Sequence, residues 1–171
     1  IEWFVSEGYL MPLIARKTST FIETADVKLT GGDFNVKGLS NAAMRNDMTE
    51  RAIAEALPAV ADRRSIAIYC VSIEHIEQVV MVLDSYGIDC EFVHSKAGDD
   101  HNEAALARFD SGQSRFIASM GQLTTGWNCR RLDCIIMLRP TRSPGLWVQM
   151  LGRGTRPFYF LDAILQCKMA S

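Results

Sequence analysis

No stretch of the 171-residue chain is apolar for anything like the roughly 20 residues that span a bilayer, so no membrane partner is expected. There is no basic leader followed by an apolar core and a cleavage site, so no secretory signal is expected. The chain opens on Ile1-Glu2-Trp3-Phe4 without Met, and is expected to be a piece of a longer protein. The five cysteines, Cys70, Cys90, Cys129, Cys134 and Cys167, include no C-x-x-C pair and are odd in number. That pattern implies neither a zinc site nor a disulfide framework, and reduced thiols in a cytoplasmic setting are the expectation. His94 and His101 have no ligand set nearby in the sequence, so no metal is assigned. Two further absences bear on chemistry. No G-x-x-x-x-G-K-S/T occurs, so no phosphate-cradling loop with its lysine is present. Nor is there an Asp-Glu-x-His or Asp-Glu-x-Asp tetrapeptide to hold Mg2+ and orient water.

Basic charge is concentrated late in the chain. Between Cys129 and Arg156 stand six arginines (130, 131, 139, 142, 153 and 156) against a single acid, Asp133, a net of +5. The chain as a whole carries −2, so the remainder carries −7. A basic segment on an acidic body can meet a polyanion, although a solvated basic face has the same composition. Hydrophobic residues at 48% and charged residues at 22% describe an ordinary globular chain, whose length fits one domain or one domain plus a small appendage.

The chain has two textures. Residues 1–64 read as an inter-domain linker and N-terminal helical and extended segment. In it a short helix over 1–7 is stopped by Gly8, an extended stretch covers 11–29, and a turn falls at Gly31-Gly32. A helix follows over 41–62 that Pro58 should kink or break. Residues 65–158 alternate strand and helix. Apolar runs predict strands over 66–71, 90–93, 115–120 and 134–138. Ile76, Val79, Val80 and Leu83 lie at helical spacing before Gly87. Asp100 and Glu103 form a candidate capping box for the next helix, closed by Gly112. A turn of helix near Gly121 and a last helix over 145–151, entered through Pro144, complete the pattern. Such alternation predicts an α/β fold: a parallel sheet with helices on both faces and ligands at the carboxyl ends of its strands. Residues 159–171 are a divergent tail without an assigned role.

The strongest chemical signal is Gln149-x-x-Gly152-Arg153-Gly154-x-Arg156. Two arginines three residues apart can present planar, permanently charged guanidinium groups side by side, and the glycines keep bulk from whatever approaches. This segment resembles motif VI of superfamily II (DEAD/DEAH-box type) helicases. Leu123-Thr124-Thr125-Gly126-Trp127-Asn128 resembles their motif V, and Ile68-Tyr69-Cys70-Val71-Ser72-Ile73-Glu74-His75 resembles motif IV. The passage from Leu138 through Arg139-Pro140-Thr141 to Gln149 is similar to that of RadD-like bacterial and phage helicases. Glu7-Gly8-Tyr9-Leu10-Met11-Pro12 is similar to the stretch that follows their first motor domain.

The resemblance covers about residues 1–158 and implies a C-terminal RecA-like domain, a P-loop-NTPase-like fold without the P-loop. By position it implies that Arg156 is the arginine finger and that Arg153 contacts the same phosphates. Gln149 would sense the nucleotide or its attacking water, Gly126 would admit the nucleotide closely, and Asn128 would stand near the ribose. Many relatives carry Asp at that last position. Ser72, Ser119 and Thr124 are candidates for nucleic-acid phosphate contacts, with strand-end or helix-cap roles equally open. ATP with Mg2+ would be bound mainly by an N-terminal RecA-like domain of the same protein, with DNA or RNA as the track. This chain alone is expected to hydrolyse nothing. The translocase subunit of a restriction enzyme shares these motifs, and a non-catalytic RecA-like module binding nucleic acid or protein is the reading from another class. His75 is expected to be a partly exposed helix cap, and Trp127 and Trp147 to pack on the sheet rather than stack on bases.

Overall fold

The computed structural model describes residues 2–12, 14–16, 18–121, 127 and 129–154. Its centre is a four-stranded parallel sheet of β3 (Ile66–Tyr69), β4 (Cys90–Val93), β5 (Phe116–Ser119) and β6 (Cys134–Met137) in the order β4-β5-β3-β6. Before it come α1 (Glu2–Ser6), a two-stranded antiparallel hairpin of β1 (Leu29–Thr30) and β2 (Asp33–Phe34), α2 (Val36–Ala43) and α3 (Met48–Ala59). Between and after the sheet strands run α4 (Ile73–Ser85), α5 (Asp99–Ser111) and α6 (Pro144–Leu151). Among the described residues no helix is long and apolar enough to cross a membrane.

The two sheet faces follow from the period-two geometry of a strand. Ile66 and Ile68 of β3, with Phe116 and Ala118 of β5, face a core completed by Ile53 and Ala56 of α3 and Ile76, Val79 and Leu83 of α4. Ala67 and Tyr69, with Ile117, face the opposite core, where Ala105 and Phe109 of α5 and Met150 of α6 close over them. A central parallel strand is covered on both sides, which is why β3 and β5 are apolar almost without interruption. Ile66 pairs with Phe116 on one side and Cys134 on the other, so the carboxyl ends of β3, β5 and β6 end level along one edge.

Several local readings are corrected. The chain does not run as one helix over 41–62. It forms α2, capped by the Asn35 side chain accepting the Gly38 N–H, and α3, separated at Asn46 and Asp47, both in the left-handed region (φ +52° and +53°). Asn and Asp tolerate that region because their side chains bond locally, and the break falls there rather than at Pro58, which lies inside the end of α3. The capping box at Asp100 is not formed. Helix α5 starts two residues earlier than that box requires, after Gly98 (φ +87°), with no side-chain cap; Asp99 and Asp100 instead place two carboxylates at the positive end of the helix dipole. Within the expected extended stretch, Ser19 and Thr20 are held to α3 by Glu55, which accepts both N–H groups, and Arg16 donates to the Ala59 carbonyl. The Gly31-Gly32 turn closes the β1–β2 hairpin, both glycines having positive φ (+62° and +87°) as such a tight turn requires. The tail over 159–171 lies outside the described residues.

Candidate functional site

The sheet's carboxyl edge collects the residues singled out in the sequence. At the end of β3, Ser72 is the N-cap of α4: its Oγ accepts the His75 N–H at 3.2 Å and sits 2.7 Å from the Ser40 hydroxyl of α2. His75 is not a partly exposed cap. It is 1% exposed, and its Nδ1 accepts the Val71 N–H at 3.3 Å. Burial pulls the imidazole down to about 4, so it stays neutral as an internal acceptor. Ser119, at the end of β5, is 0% exposed.

From β6 the chain turns through Arg139-Pro140-Thr141-Arg142 into α6. Ser143 caps that helix by accepting the Leu146 N–H at 3.3 Å, and Pro144 fills the first turn, where a missing N–H costs nothing. Met150 is buried under the sheet, whereas Gln149 is exposed. Gly152 donates to the Val148 carbonyl at 2.8 Å, and a Cβ there would stand 2.9 Å from that oxygen. At Gly154 a Cβ would meet Ile135 Cδ1 at 3.0 Å, so the glycine lets the turn after α6 lie against β6.

Between these glycines Arg153 is half-buried and donates through Nη1 to the carbonyl of Trp127. The turn after α6 is thereby joined to the loop that follows β5. Trp127 packs its ring 5.8 Å from Phe109, as expected of a residue lying on the sheet. Trp147 does not: it is 46% exposed on the outer side of α6. The Tyr69 hydroxyl is pushed up to about 12 by burial, against the opposing field of Arg153. Arg156, Thr124, Gly126 and Asn128 lie outside the described residues.

The histidines further along the edge have structural partners. Asn102 brackets the backbone of His94, accepting its N–H and donating to its carbonyl, and His101 bonds the Phe92 carbonyl at 3.1 Å. Among the described residues there is no group of His, Cys, Asp or Glu able to hold a metal ion.

One residue was missed by sequence reasoning. Asp33, in the hairpin, accepts the Thr141 hydroxyl and the Arg142 N–H, each at 2.7 Å. Burial alone would raise its carboxyl; the bonds from Arg142, Thr141 and Phe34, with the field of Arg139, outweigh that and hold it below the usual range. The glycine pair flags the turn before it, but nothing in the sequence links positions 33 and 141.

Compared with known proteins, residues 48–157 match the model of the helicase conserved C-terminal domain. The chain is similar to IRC3 of Saccharomyces cerevisiae, which is named as an ATP-dependent helicase: 28% identity over 152 residues, 86% of this chain and 22% of that protein. It is also similar to irc3 of Schizosaccharomyces pombe, named as a mitochondrial ATP-dependent helicase: 30% identity over 96 residues, 56% of this chain and 16% of that one. The chain thus spans about a fifth of the length of these relatives. Among solved structures, the RNA helicase Prp28 of Chaetomium thermophilum bound to ADP superposes with a TM-score of 0.55 at 18% identity, over 63% of this chain and 26% of that one. That likeness, with the sheet order above, makes the fold RecA-like.

Proposed function

The chain belongs to the helicase conserved C-terminal domain family, and from that membership we propose that it is the second motor lobe of an ATP-dependent DNA or RNA helicase or translocase. In this reading an N-terminal RecA-like lobe of the same protein holds ATP and most of the Mg2+ coordination. This lobe supplies the arginines. Arg156 is the finger that meets charge spreading onto the transferred phosphoryl group, and Arg153 contacts the same phosphates. Gln149, exposed on α6, reads the nucleotide or its attacking water; Gly126 lets the protein backbone approach the nucleotide closely, and Asn128 stands near the ribose. Ser72, Ser119 and Thr124 are the candidates for contacts with the phosphates of the nucleic-acid track. ATP draws the two lobes together, and hydrolysis releases them, so that each cycle moves the pair along the strand.

The observation that carries this reading is the bond from Arg153 to the Trp127 carbonyl. It sets the arginine turn against the loop after β5, at the edge where ligands of parallel α/β sheets gather. A guanidinium has five N–H donors in a fixed fork, so an arginine steadied at one position still suits phosphate oxygens at another. The chain without its partner lobe has no phosphate-cradling loop and is expected to show no turnover.

The test uses the full-length protein. Arg156→Ala should lower nucleic-acid-stimulated ATP hydrolysis by about 10³-fold or more, the scale of other arginine fingers, while nucleic-acid binding persists. Unchanged turnover defeats the assignment.

A further inference from the structure

The hairpin and α2 lie before the sheet in the chain, yet they touch two separate parts of its carboxyl edge. Asp33 Oδ1 accepts the Phe34 N–H at 2.8 Å and the Arg142 N–H at 2.7 Å, while Oδ2 accepts the Thr141 hydroxyl at 2.7 Å. Thr141 Oγ1 in turn accepts the Ser143 N–H at 3.0 Å, and Ser143 Oγ accepts the Leu146 N–H inside α6. A chain of hydrogen bonds therefore runs from one carboxylate, through the loop after β6, to the first turn of α6. That helix ends at Leu151, immediately before Gly152 and Arg153.

The carboxylate is itself held. The Asn35 N–H bonds the Lys28 carbonyl at 2.8 Å across the hairpin, and the Asn35 side chain caps α2. Leu39 and Ala43 of α2 pack with Val71, Val27 and Phe34, and Ser40 pairs with Ser72 at the end of β3. The segment is thus anchored at the start of α4 and presents Asp33 to the entrance of α6. A carboxylate is well matched to that place, because it accepts from a hydroxyl and a backbone N–H at once, and charge-assisted bonds are the stronger kind.

We infer that Asp33 is a positioning residue for ATP hydrolysis, fixing the entrance of α6 so that the arginine turn at its far end is set for the phosphates. The inference rests on the function proposed above. Asp33 touches no reacting atom; it acts through Thr141, Arg142 and Ser143.

The experiment measures steady-state ATPase of the full-length protein with saturating nucleic acid. The variants are Asp33→Ala, Asp33→Asn, Thr141→Val and the double Asp33→Ala/Thr141→Val, with Arg156→Ala as a control. Asp33→Ala should lower kcat about tenfold with a much smaller change in KM for ATP, a coupling of ordinary size for a hydrogen-bonded relay. Thr141→Val should lower kcat as well, and the double variant should be little worse than the poorer single, because both cut one relay. Asp33→Asn keeps an oxygen to accept the Arg142 N–H and should restore part of kcat. If Asp33→Ala fails to melt cooperatively, Asp33→Asn and Thr141→Val carry the test. Wild-type kcat in Asp33→Ala and Thr141→Val overturns the inference, as does a loss that tracks the melting temperature with no recovery in Asp33→Asn. The control separates the two readings. If Arg156→Ala turns over normally, the motor assignment itself falls; if it is dead while the Asp33 variants are normal, only the positioning role is lost.

Discussion

Lowering the pH should destabilise this fold through His75 before Glu55 and Asp33 give way. The imidazole is 1% exposed and accepts the Val71 N–H, so protonation both charges a buried group and removes its acceptor atom. Its value falls from the ordinary 6.5 to about 4 because burial disfavours the cation. Between those values the unfolded chain binds a proton that the folded chain does not, so stability is complete above pH 6.5 and declines as the pH drops toward 4. At about 1.36 kcal/mol per pH unit, a drop of roughly two units below the ordinary value removes about 2–3 kcal/mol. Glu55, held down at about 2 by bonds from the Ser19 and Thr20 backbone, and Asp33, also below its usual range, give up their own contributions only as the pH falls through the ordinary carboxylate values. They therefore enter at the bottom of the window and cancel between wild type and a His75 variant. Urea unfolding of wild type and His75→Gln at about pH 7.5 and about pH 4.5 gives the answer as a double difference. Wild type should lose about 2–3 kcal/mol more than the variant across that range. Equal losses would show that His75 is not a buried neutral acceptor.

Two other substitutions probe the frame around the site. Gly112 ends α5 at φ +81°, and a Cβ there would fall 2.1 Å from Arg131 Nη1. Gly112→Ala should therefore cost about 1–2 kcal/mol in a denaturant titration, the left-handed penalty for alanine plus displacement of the guanidinium; a midpoint equal to wild type would refute this. Ser72→Ala removes the cap of α4 and should cost about 1 kcal/mol, with Ser72→Asn recovering most of it; an unaltered Ser72→Ala would mean that the cap is not stabilising the helix.

The parallel sheet was legible because a strand covered on both faces must be apolar throughout, and the runs around Ile68, Ile117 and Ile136 announce that burial directly. Helix α6 was legible through Pro144 at its entrance, whereas its Ser143 cap emerged only in the structure. The outward side of that helix was not: Trp147, Val148 and Met150 are all apolar, and only packing decides that Met150 is sealed and Trp147 is not. His75 illustrates the same limit. Its place after a strand suggested a cap, but the cap is Ser72, and the imidazole turns inward to the Val71 N–H. The break between α2 and α3 escaped because it depends on two left-handed residues rather than on Pro58. Least legible was Asp33, whose partners lie 108 and 109 positions away and carry no shared pattern.

The central claim concerns guanidinium groups delivered to phosphates held by a neighbouring lobe. It is tested most directly by single-turnover hydrolysis of ATP in the full-length protein carrying Arg153→Lys or Arg156→Lys. Lysine keeps the charge but loses the planar fork. Nucleotide should still bind, and the hydrolytic step should collapse in Arg156→Lys and slow in Arg153→Lys. Hydrolysis at the wild-type rate in both would contradict the account.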